Sequence, residues 1–149
     1  MMKLQIPRDG CVLVGDGHKV LLLRNQGDEV HPNLQVEQEL NAPDNPRTRL
    51  QGSDRPTRMV TTASQRSAIE QTDWHDLAEV QFAKDAVSAL EEVCSHRQVE
   101  GIVIVAPPRM LATIRQAMPD AIAKRIIAEI DKDLTKIPVY EIERHLTGG

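Results

Sequence analysis

Aromatic side chains are nearly missing from this chain. Trp74, Phe82 and Tyr140 are the only three in 149 residues. A domain that reads single-stranded nucleic acid by stacking bases needs several exposed rings, which weighs against an RRM-like or OB-like platform. The core must instead be built from Val, Ile, Leu and Ala. Cysteine is also sparse. Cys11 and Cys94 are too few for a disulfide scaffold, and each sits in an apolar pattern expected of a reduced core thiol. No apolar run approaches the roughly 18 residues that span a bilayer. Met1–Gly10 holds no apolar stretch of signal-peptide length. The expectation is one soluble, cytoplasmic domain over residues 1–149 without membrane contact.

Against these absences stands one concentration of charge. The chain has a formal net charge of −4, yet Arg47, Arg49, Arg55, Arg58 and Arg66 face a single acid, Asp54, between positions 47 and 66. A charge inversion confined to one segment points to an anion, most plausibly RNA or another phosphate-bearing partner. The guanidinium fork of Arg55, Arg58 and Arg66 suits phosphate oxygens. The alternative is a solvated loop whose arginines pair with acids of the same surface or of a second subunit, which would make a homodimer.

The chain order is legible from turn residues and periodicity. Cys11–Val14 begins a strand, Gly15-Asp16-Gly17 turns it, and Lys19–Arg24 returns, as a hairpin. Leu34, Val36 and Leu40 alternate with Gln35, Glu37 and Glu39, predicting a third antiparallel strand with one wet face. Pro43, Pro46, Gly52 and Pro56 break any period, so a long basic loop is expected over about 41–67. Leu77, Val80, Ala83, Val87, Leu90 and Cys94 then mark one face of a long helix, with Thr72 or Asp73 as its cap. Ile102–Ala106 reads as a strand buried on both faces. Pro107 and Pro108 open a helix through Leu111, Ile114 and Met118. A strand follows at about Arg125–Ile130, and a last helix begins at Pro138 with Val139, Ile142 and Leu146 inward. An antiparallel meander followed by β-α-β crossovers is an α/β fold: an RNase H-like mixed sheet covered by helices.

Other clusters have plainer readings. Around Trp74, the oxygen and nitrogen donors Asp73, His75 and Asp76 invite a metal reading, but neighbours one or two apart on a helix point in different directions. They read better as a helix start whose Trp anchors the loop. Arg109 lies in a first helical turn, where the dipole disfavours a cation unless an anion is near. It is a candidate anion contact, or else a partner for an acid such as Asp133. Ser64, Ser67 and His75 do not define a nucleophile and its base. Acids at strand centres, which a two-metal nuclease needs, are not evident. No metal and no cofactor are expected.

Several segments together resemble a known family. They are VLVGDGHKVLLL (Val12–Leu23), QGSDRP (Gln51–Pro56), RSAIEQTDWHDL (Arg66–Leu77), VAPPR (Val105–Arg109) and DLTKIP (Asp133–Pro138). On these the chain resembles the bacterial host attachment protein family over nearly its whole length. That family is in turn similar to the catalytic middle domain of archaeal and eukaryotic peptide-chain release factors, whose loop tip carries Gly-Gly-Gln. The resemblance implies a release-factor-like fold and places Gln65 at or beside that glutamine. Ala63 and Ser64 stand where glycines would be, and they reach the needed backbone angles only at a cost. What the resemblance implies is therefore a non-catalytic, translation-associated domain contacting RNA or the ribosome. Two alternatives accompany it: a peptidyl-tRNA or ester hydrolase using Gln65, and a protein–protein adaptor in host cell attachment.

Overall fold

A computed structural model describes residues 3–42 and 57–148, with side chains described over 3–42 and 77–148. Five strands form one mixed sheet. They are β1 (Cys11–Gly15), β2 (Lys19–Asn25), β3 (Leu34–Asn41), β4 (Ile102–Ala106) and β5 (Ile126–Asp131). Their spatial order is β3-β2-β1-β4-β5. The first three run antiparallel as a meander, and β4 and β5 join parallel to β1. Among the described residues the helices are α1 (Thr57–His96), α2 (Pro108–Ala117), α3 (Asp120–Ala123) and α4 (Val139–Thr147).

Alternation in the central strands builds two cores. Cys11, Leu13, Leu22, Ile102 and Ile104 face one side, where Phe82, Ala86, Leu90 and Val93 of α1 and Met110, Leu111 and Ile114 of α2 cover them. Val12, Val14, Leu23, Val103 and Val105 face the other side, beneath Ile142 and Leu146 of α4 and Ile6. β1 and β4 are buried throughout, as continuous apolar runs between two helical layers must be.

Details of α1 and β3 differ from the expectations set by sequence. Helix α1 starts at Thr57 rather than at Thr72 or Asp73, so positions 57–67 of the predicted loop are helical. The physical reason is that Pro56 is the last Pro or Gly before Gly101; nothing downstream interrupts the helix. Asp73 is therefore interior to α1 and is not its cap. Of the face expected of α1, Ala83, Val87 and Leu90 are buried, joined by Phe82, Ala86, Ala89 and Val93, whereas Leu77 is 64% exposed.

The single wet face expected of β3 is broken by a bulge. Leu22 pairs with Gln38 and Leu23 with Val36, which leaves Glu37 without a partner in the ladder. Directly paired residues share a face. The extra residue thus sends Leu34 and Val36 toward α4 and Gln38 and Leu40 toward α1. Glu37 and Glu39 do not share a face in the way simple alternation requires.

Candidate functional site

Because β1, β4 and β5 are parallel, their carboxyl ends lie on one side. There the chain leaves β1 through Asp16–His18, leaves β4 into α2, and leaves β5 into the loop 132–138. Helix α1 descends from this side, since its far end leads within a few residues into the start of β4. In α/β sheets, ligands bind preferentially outside such strand ends.

Asp16 organises the first turn. Its Oδ1 accepts from the amides of His18 at 2.7 Å and Lys19 at 2.8 Å. The hydroxyl of Thr135, from the loop after β5, lies 2.8 Å from Asp16 Oδ2 and 2.6 Å from Asp133 Oδ1. A hydroxyl carries one proton and donates to one acceptor at a time. Asp133 also accepts from the Thr135 amide at 3.0 Å, closing a turn of the kind Asp favours. Burial pushes the Asp16 carboxyl up, but the His18 amide, the Thr135 hydroxyl and the Lys19 amide outweigh it and hold the group below its ordinary value. The charge of Asp16 is thus engaged by the fold.

Arg109 is the candidate contact whose side chain the structure describes. It follows Pro107 and Pro108, neither of which has an amide hydrogen to offer an anion. A carboxylate beside it is Glu79 of α1, with Arg109 Nη1 3.5 Å from Glu79 Oε1. Asp133, the acid suggested by sequence, instead holds Thr135. Glu79 also overlies the β1–β2 turn, where a side chain begun at Gly17 would lie 3.4 Å from its Oε2. No sequence signal marks Glu79, because its role arises only from the crossing of α1 over the strand ends.

The side chains of the remaining candidates are not among those described. Arg47, Arg49 and Arg55 lie outside the described residues. Arg58, Gln65, Arg66, Asp73, Trp74 and His75 lie along the span of α1, with side chains outside those described. Gln65 is therefore on a helix and not in the connecting loop predicted for it. Among the described residues, no three His, Cys, Asp or Glu side chains gather closely enough to hold a metal ion.

A concavity lies at the opposite end of the sheet, lined by Cys94, Arg97, Gln98, Val99, Glu100 and Arg125. It sits at the carboxyl end of α1, where arginines complement the negative end of the dipole. Arg97 forks onto Glu37 and also donates to the Asp9 carbonyl. This groove closes the helix end onto the sheet edge.

The fold and site define an α/β domain with a five-stranded mixed sheet and an arginine at the carboxyl ends of its parallel strands. Residues 11–146 match the family described as "Protein required for attachment to host cells", and the chain belongs to that family. A stretch of 75 residues is 31% identical to an uncharacterized protein of Rickettsia prowazekii (strain Madrid E). That match covers 49% of this chain and 50% of the relative, so it spans about half of each. Among the described residues no helix is long and apolar enough to cross a membrane.

Proposed function

We propose that this host-attachment-family chain is a non-catalytic RNA-contacting domain, acting in the cytoplasm on ribosomal or transfer RNA. On this reading it has an RNase H-like, release-factor-like fold, a reading supported by the strand order β3-β2-β1-β4-β5 with β2 alone antiparallel to both of its neighbours. Attachment to host cells is then a downstream phenotype.

The observation that carries the reading is a concentration of arginine in the sequence. The segment 47–66 carries five arginines against Asp54, in a chain of net charge −4. It leads into α1, whose Glu79 meets Arg109 at the carboxyl ends of the parallel strands. Phosphate contacts of this kind give affinity without sequence choice and weaken as salt displaces them. The scarcity of aromatics fits backbone contact better than base stacking.

The test is RNA co-sedimentation across a salt titration, with the full chain and with R55E/R58E. Binding should fall as salt rises and should weaken at every salt in the charge-reversed variant. Binding that ignores both salt and charge reversal sinks the reading. Purification with and without nuclease distinguishes a protein partner, because an adaptor keeps its companions after RNA is digested.

A further inference from the structure

We propose that Glu79 is a built-in competitor of the phosphate: it engages Arg109 within the chain, and an incoming polyanion must displace it. The inference rests on the RNA-contacting reading and adds to it a residue that sets the affinity of that face.

Three observations carry it. First, Glu79 and Arg109 come from different elements, α1 and α2, and meet only where α1 crosses the strand ends. Second, the contact is loose. The separation is 3.5 Å, and the Arg109 and Glu79 side chains are 68% and 47% exposed. A surface pair of that geometry is weak and screened, whereas phosphate offers the guanidinium two oxygens at once. Third, Asp16 and Asp133, described acids of this corner, are already committed, and Asp133 holds Thr135. Asp16 is held by the amides of His18 and Lys19 and meets the Thr135 hydroxyl. Glu79, by contrast, is a carboxylate that can yield. It is one of the groups engaging Arg109, a residue that is not without other partners. Displacement therefore exchanges one partner for another and does not require an idle cation.

The test uses the full chain and a fluorescently labelled single-stranded RNA oligonucleotide, with affinity read by anisotropy over a salt series. Four variants are compared with the parent: E79Q, E91Q, R109Q and E79Q/R109Q. Glu91 is an exposed acid on the same helix, well away from Arg109. E79Q should bind roughly two- to fivefold tighter, the range that a surface ion pair can contribute. E91Q should match the parent, and the gain should vanish in the R109Q background. Equal tightening by E79Q and E91Q overturns the inference, because it reports only net charge. Weaker binding by E79Q also overturns it, since Glu79 would then be holding Arg109 in a binding pose. If the parent shows no RNA binding at any salt, the RNA reading fails first, and this inference with it.

Discussion

Arg97 and Glu37 lie 60 residues apart and meet as a fork, with Nε 3.1 Å from Oε2 and Nη2 2.8 Å from Oε1. The bulge in β3 makes this possible by releasing Glu37 from its ladder, and the end of α1 supplies the arginine. The same guanidinium donates to the Asp9 carbonyl, so one side chain ties helix, edge strand and N-terminal segment together. Arg97→Ala should cost about 2–3 kcal/mol, the range for charged, partly buried hydrogen bonds. Arg97→Lys should recover only part of it, because an ammonium cannot fork. Urea unfolding of the single variants and of Arg97→Ala/Glu37→Ala checks this. Strictly additive losses would mean that the two residues do not act on each other.

Asn25 is fully buried and makes its hydrogen bonds on every side. Its Nδ2 donates to the carbonyls of Ile6, Pro7 and Asp28, and its Oδ1 accepts from the amides of Gly27 and Asn33. Asn25→Leu keeps the volume and strands those backbone groups, so a loss of about 3 kcal/mol or more is expected. Asn25→Asp makes a sharper test. A carboxylate there would face the Ile6, Pro7 and Asp28 carbonyls without a proton to give, so its folded pKa is raised. Stability lost at neutral pH should return as pH falls and the acid protonates. A variant equally unstable at pH 7 and pH 5 would contradict this account of the site.

Much of this fold is visible in the sequence because local and long-range signals agree. Gly15-Asp16-Gly17 gives the hairpin, Ile102–Ala106 gives the buried strand, and Ile142 and Leu146 give the inward face of α4. Where the reading departs from the structure, the cause is tertiary. Glu37 leaves the alternation of β3 because Arg97 receives it, and a bulge has no signature in VEQEL. Leu77 fits the helical period yet is exposed, since the body that buries α1 begins near Phe82. Of the candidate site, Arg109 was visible through its place in a first turn. Glu79 was not, because nothing local links it to a residue thirty positions away.

Asp16 predicts the direction of the acid limb of stability. Its folded pKa is depressed below its ordinary value, so its contribution is present above the unfolded value of about 3.9 and is lost as pH falls through the folded one. Asp9, beside Arg24, is shifted the same way by that hydrogen bond. Asp16→Asn should cost about 1 kcal/mol at pH 7, and the difference from the parent should shrink below pH ~4. Urea midpoints from pH 7 down to pH 3 check it. A difference that widens on acidification would show that the Asp16 charge opposes folding.

The two thiols should separate by reactivity. Cys11 is fully buried at the start of β1, and burial pushes its thiol up to about 12. Cys94 is half-buried beside Arg125; burial raises it too, with the guanidinium pulling the other way. The thiolate is the species that reacts with an alkylating agent. At pH 8 the ionised fraction of Cys11 is then on the order of a thousandfold below that of an ordinary thiol. Its alkylation must await opening of the sheet beneath α1, whereas Cys94 needs only local exposure at the end of that helix. Timed iodoacetamide labelling read by mass spectrometry should show Cys94 modified first and Cys11 only on a path through unfolding. Adding Arg97→Ala should speed Cys11, because that variant loosens the helix end over the strand where Cys11 lies. Labelling of Cys11 at the rate of Cys94 in the native protein would mean that the first core is far more open than its packing indicates.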